Sequence, residues 1–356
     1  MKKIAFYFLP FLLLSMVSCK VEFSPNAEWK DVPVVYCVLD PDDDTVWARV
    51  QRCYLSEGNL YQYATVVDSN NYPEGEIGVH LLAWRGLRGS NNILTRTDVL
   101  MDRWILADTL RYGKPEGGFA GGSQPIFYCV PNDGLERDSN CIFQLVVLKN
   151  STGDTLAQSY TTLVGYGSRT IRGGDTIEEV LTSPNGSRGR EFGYRVGCRG
   201  ELRWNTIPRG RRYQPTITFF YRKRGDTLSV DIPGSYVTDP NNNLTLSSSS
   251  ITQNRFLSYI KNALRDNTDT LYTVNNVDVN IAVCNEDLNA YLNAQEAYGS
   301  AGNGQLYTNI EGGIGIFGSR RSHITVNVPC DSIGKPGYLP QELINLHVGF
   351  YGNWGE

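Results

Sequence analysis

Metal chemistry has little to draw on in this chain. His80, His323 and His347 are its only histidines, none is spaced with a second His or Cys as zinc ligands are, and no CxxC occurs. The sequence therefore calls for no metal and no cofactor. Nucleophile motifs are missing as well, with neither a G-x-S-x-G elbow nor an H-E-x-x-H. Positive charge is not in excess: 33 Lys and Arg stand against 37 Asp and Glu, a formal net charge of -4. That balance excludes a generally basic nucleic-acid binder. Beyond the first residues no apolar run approaches the length that crosses a bilayer. Paired carboxylates for glycoside hydrolysis carry no sequence spacing, so the missing motifs do not exclude that chemistry.

What is present begins at the N-terminus. Lys2 and Lys3 supply a positive segment, residues 4 to 14 an apolar run too short to span a membrane, and Met16, Val17 and Ser18 lead into Cys19. This is the pattern of a lipoprotein signal over residues 1–18, with cleavage before Cys19 and acylation of its thiol and amine. Residues 19–31 are polar and aperiodic and read as a tether. The expected location is the outer membrane, held by lipid. The KVEF that follows Cys19 lacks an acidic run, which points towards the periplasm without deciding between the periplasmic and cell-surface faces.

From Cys19 onward 338 residues remain, more than one core normally serves, so two domains are expected. With 36 Gly, 16 Pro and 41% hydrophobic residues, the composition suits many short elements joined by turns. Strand-like runs at 34–39, 46–55, 77–84, 103–110, 124–130, 141–148 and 155–164 predict an immunoglobulin-like β-sandwich over 32–165. A Gly-rich polar stretch, 165–189, leads into a second β-rich domain within 166–356. Strands are expected there at 191–204, 213–223, 227–232 and 273–284, in GIGIFG (313–318) and in SHITVNV (322–328). Helices are expected near 250–266, capped at Ser250, and near 285–298, capped at Asn285 and stopped by Gly299. The class is mainly β, with two short helices.

Three features invite a chemical reading. Asp40, Asp42, Asp43 and Asp44 begin like a calcium loop, but Thr45 and Gln51 stand where Gly and Glu belong, which favours a hairpin turn. Of eight cysteines, Cys129 and Cys141 flank a polar stretch between apolar runs; a cross-strand bridge is one reading, and buried free thiols the commoner one. Between Arg188 and Arg224 lie ten Arg and one Lys against Glu191 and Glu201, a net +9. Alternation sets Arg195, Arg199 and Arg203 on the face opposite Val196, Leu202 and Trp204, a candidate contact for an anionic partner. The competing reading is an ordinary solvated surface neutralised by acidic neighbours.

CNEDLNAYLNAQEAY and GQLYTNIEGGIGIFGSRRSHITVNV, with the run Asn309 to Gly318, resemble the C-terminal signature of Bacteroidetes envelope lipoproteins grouped as domain of unknown function 4249. The N-terminal half resembles that family more loosely, and its opening VPVVYCVLDPDDDTVWARVQRCYLSEGN departs from the shorter strand expected, so the chain reads as a divergent relative. The resemblance implies a mostly β envelope lipoprotein of no established activity, from organisms whose lipoproteins often accompany TonB-dependent transporters. The glycines at 312, 313, 315 and 318 read as a bulge or a close backbone approach; the segment lacks the Lys and Ser/Thr of a phosphate-binding P-loop. The expected function is that of a non-enzymatic binding or accessory subunit. Its partners would be the membrane, an outer-membrane protein or an anionic glycan; the alternatives are a polysaccharide-processing enzyme and a purely structural envelope protein.

Overall fold

A computed structural model describes residues 31–53, 70–89, 94–114, 122–132, 134–135, 140–165, 202–240, 245–301, 307–329 and 339–351. The protein is mainly β. In the first lobe β1 (Pro33–Leu39) and β2 (Val46–Arg52) each bury every second side chain, Val35, Cys37 and Leu39 from one and Val46, Ala48 and Val50 from the other. The DPDDDT turn joins them as a hairpin, closed by the Asp43 amide donating to the Asp40 carbonyl. β3 (Ile77–Arg88), β4 (Leu94–Lys114), β5 (Gly122–Cys129), β6 (Cys141–Lys149) and β7 (Thr155–Thr161) complete the lobe.

The pairing runs β1-β2-β5-β4 and, through β4, on to β3-β6-β7 in one continuous path; the two stretches have the A-B-E-D and C-F-G order of the immunoglobulin sandwich. β4 is long enough to serve both sheets: its residues 94–106 pair with β3 and its residues 107–114 with β5. Cys129 and Cys141 are not joined by a disulfide; both are buried and pack as small apolar groups. Burial pushes the Cys129 thiol up to about 11.

The second lobe is a sheet of β9 (Arg212–Lys223), β10 (Asp226–Pro233), β13 (Leu271–Cys284) and β14 (Ile314–Pro329), with β11 (Val237–Thr238) beside β9. A separate pair, β8 (Leu202–Asn205) and β12 (Thr245–Ser248), and helix α1 (Gln253–Ala263) close its core. Phe256 and Ile260, one turn apart on α1, are fully buried against this sheet, Phe256 edge-on to Phe219. The expected cap of α1 needs correction. Thr252, not Ser250, accepts from the Arg255 amide, while Ser250 Oγ accepts from the Ser235 amide and meets Ser248 Oγ.

Helix α2 (Glu286–Ala301) is capped by Asn285 as expected, its Oδ1 accepting from the Leu288 amide 3.2 Å away. It continues past Gly299 instead of stopping there. A third helix, α3 (Leu339–Asn345), was not expected. GIGIFG and SHITVNV, expected as separate strands, are one continuous strand, β14. Of the strand expected at 191–204 only the end falls within the described residues, and the stretch from 166 to 201 lies outside them.

β14 joins the lobes. Residues 314–319 pair in parallel with β1, and residues 320–329 pair antiparallel with β13, so one hydrogen-bonded path crosses the molecule. The apolar cores divide near residue 163, except that Ile310 and Phe317, from the range read as the second domain, are buried in the first core.

Candidate functional site

The arginine-rich segment is the first place to look. Cys19, Arg195 and Arg199 lie outside the described residues. Arg203 is exposed on β8, between buried Leu202 and Trp204. Most of the basic side chains that follow are tied to acidic ones from other elements. Arg211 pairs with Glu286 at 2.7 Å. Arg212, nearly buried, pairs with Glu296, donates to Asn293 and lies 3.5 Å over the Tyr236 ring. Lys223 and Arg224 share Asp269, whose carboxyl they hold below its usual range through their hydrogen bonds. These four cations of the segment are thus paired within the fold and act as internal fasteners.

The Gly-rich motif is a joint. Gly312 has φ +77°, and a Cβ there would lie 2.5 Å from the Leu156 carbonyl oxygen. At Gly313 it would lie 2.6 Å from the Pro33 carbonyl oxygen. Gly315, at φ +119°, would collide with the Val35 carbonyl. Backbone fills the space that a phosphate cradle would need, so the motif sets β14 against β1 and β7. Beside it, Asn285 donates to Thr161 Oγ1 at 2.7 Å and its Oδ1 accepts from the Ser319 amide, while Ser319 Oγ accepts from the Val164 amide. Asp287 accepts from Thr161 Oγ1 and Tyr307 OH, and burial holds its carboxyl above the usual range. Asn309 brackets Phe317 through both backbone groups. The residues that carry the family resemblance therefore meet where the lobes join.

The acidic turn is spoken for too. Arg321 makes a two-pronged contact with Asp42, and Arg320 lies 3.4 Å from Asp40, tying the β1–β2 hairpin to mid-β14. Among the described residues no group of three or more His, Cys, Asp or Glu side chains is arranged to hold a metal ion.

A different surface carries chemistry not used for packing: the outer face of β3-β6-β7. Along β3, Ile77, Val79, Leu81 and Ala83 point into the core, which turns His80, Leu82 and Trp84 outward. Trp84 Nε1 donates to Gln144 Oε1 at 2.8 Å, Gln144 Nε2 to Gln158 Oε1 at 2.9 Å, and Gln158 Nε2 to Glu311 Oε2 at 2.8 Å. This is a directed row of polar groups across three strands, ending on an exposed carboxylate. Over it lies the Arg96 guanidinium of β4, 4.7 Å from the Trp84 ring and 5.7 Å from that of Tyr160, which is 38% exposed. Arg103 donates to His80 Nδ1 at 2.9 Å. Burial, and then Arg103, hold the His80 imidazole below its usual range. Arg96 and Arg103 form no ion pair with a carboxylate among the described residues. The outward turn of Trp84 was legible in the alternation of IGVHLLAW; the convergence of Arg96, Gln144, Gln158, Tyr160 and Glu311 on it was not, because they come from other strands.

The fold defines a class, a mainly β protein whose first lobe has immunoglobulin strand connectivity and borrows a strand from the second. Compared with known proteins, the chain matches no family model and no curated protein.

Proposed function

We propose that this chain is a lipid-anchored envelope lipoprotein of the outer membrane that works as a non-enzymatic binding or accessory subunit. The resemblance of its C-terminal half to domain of unknown function 4249 supports that reading and suggests a TonB-dependent transporter as the protein it accompanies. The observation that carries the binding function is the Arg96 guanidinium, laid on Trp84 and Tyr160 and left without an ion pair among the described residues. Where Arg211, Arg212, Lys223 and Arg224 are all neutralised by partners within the fold, a positioned and unneutralised guanidinium is available to a ligand.

The anchor is tested with Cys19→Ala. If the acyl chains supply the membrane attachment, the variant leaves the membrane fraction or stays unprocessed. Normal processing with membrane retention refutes the lipoprotein assignment. The subunit role is tested by cross-linking the lipidated protein in intact envelopes and recovering it under detergent. A stoichiometric outer-membrane protein in the recovered complex supports the reading; recovery of the chain alone, with turnover of an envelope polysaccharide by the purified protein, replaces it with an enzyme.

A further inference from the structure

We infer that the outer face of β3-β6-β7 binds an acidic polysaccharide, with Arg96 as the contact to its anionic groups. This names the ligand class of the same face and rests on reading the chain as a binding subunit. Three properties of the face select the ligand. Its cationic groups, Arg96 and Arg103, form no ion pair with a carboxylate among the described residues, so the partner brings the negative charge.

β3 is paired on both sides, with β4 and β6, and β6 with β3 and β7, so around Trp84 and Arg96 recognition runs through side chains; β7 ends the sheet, and Gln158 and Glu311 exchange backbone hydrogen bonds on its outer edge. Finally, the row Trp84, Gln144, Gln158 and Glu311 steps at strand spacing, about 4.8 Å per strand; Gln144 is buried within it, while the half-buried Gln158 amide holds a second N–H and the exposed Glu311 further lone pairs. Hydroxyls, which both donate and accept, complement such a row. The exposed part of the Tyr160 ring offers an apolar surface for the C–H face of a sugar.

Arg96 lies within cation-π distance of two aromatic rings, which restricts its side chain and lessens the freedom lost when it meets a carboxylate. Lysine in its place would keep the charge and lose the planar fork of donors.

The test uses the full chain in detergent and three immobilised polymers: polygalacturonate, dextran and poly-L-glutamate. Polygalacturonate retains the wild type, retention weakens as salt is raised, and dextran does not retain it. Arg96→Gln lowers affinity for polygalacturonate by about tenfold or more, the scale of one charge-assisted hydrogen bond, and Arg96→Lys falls most of the way to it. Tyr160→Ser weakens binding with its salt dependence unchanged. Arg224→Gln, which removes an exposed cation committed to Asp269, binds as wild type does. Failure of polygalacturonate to retain the wild type overturns the inference. So does equal retention on poly-L-glutamate, which makes the ligand an acidic peptide, and so does an Arg96→Gln variant that binds unchanged with an unaltered melting curve. If Arg96→Gln still recovers a protein partner in the envelope cross-linking experiment while the wild type ignores polygalacturonate, the ligand class fails and the subunit role stands.

Discussion

Gly315 stands where β14 passes nearest to β1, at a backbone angle of φ +119° that side-chain-bearing residues rarely adopt. A methyl group there would meet both a strained backbone and the Val35 carbonyl. Gly315→Ala is expected to destabilise the protein by about 3 kcal/mol or more, read from the midpoint of a denaturant melt. A loss under about 1 kcal/mol would mean that the two strands can separate locally at little cost. The glycines were legible in the sequence as a close approach, because no other residue type tolerates one. Their neighbour was not, since the sequence does not say which backbone comes near. The cysteines show the complement: flanking apolar runs allowed either a bridge or two buried thiols between Cys129 and Cys141, and packing decided for the thiols.

Among elements, α2 has the most consequential start. Its cap, Asn285, is buried between the lobes, and Asp287 in the first turn of the helix is held by Thr161 and Tyr307 from two other segments. Burial raises the folded-state value of Asp287 above its ordinary 3.8. The folded chain therefore binds a proton that the unfolded chain has already lost, in the window between 3.8 and the raised value. This contribution to stability is complete below that window and is lost as pH rises through the folded-state value. Asp287→Asn, a neutral side chain of the same shape, removes the titration. Melting temperatures of both proteins from about pH 3 to about pH 8 should show wild type losing ground to the variant as pH rises; parallel curves would mean that the carboxyl titrates as it does in the unfolded chain. The helix and its Asn cap were readable from the apolar spacing and cap chemistry. The stop at Gly299 was not, because a glycine ends a helix only where the backbone turns left-handed, and α2 continues to Ala301.

The molecule as a whole is tied by a strand that the chain order hides. The first lobe has the strand connectivity of an independent sandwich, yet its edge strand β1 pairs with β14, and Ile310 and Phe317 complete its core. The isolated 32–165 segment, cut at the boundary the sequence suggests, leaves that edge open and that core short of two apolar side chains. It is expected to aggregate or to unfold without a cooperative transition, whereas the intact chain melts cooperatively. A cooperative melt of the isolated segment with stability equal to the intact protein would show that β14 is an accessory to the first lobe and not part of it.

The local pattern determined most of the strands, the two larger helices and the DPDDDT hairpin, because each depends on residues a few positions apart. Tertiary structure decided everything that needed a distant partner. It brought Glu286, Glu296 and Asp269 to Arg211, Arg212 and Arg224, spread the resemblance motif over the lobe junction, and gathered Trp84, Arg96, Gln144, Gln158, Tyr160 and Glu311 on one face. Alternation along a strand tells which side a residue faces, but the neighbour across the sheet is fixed only when the strands are paired.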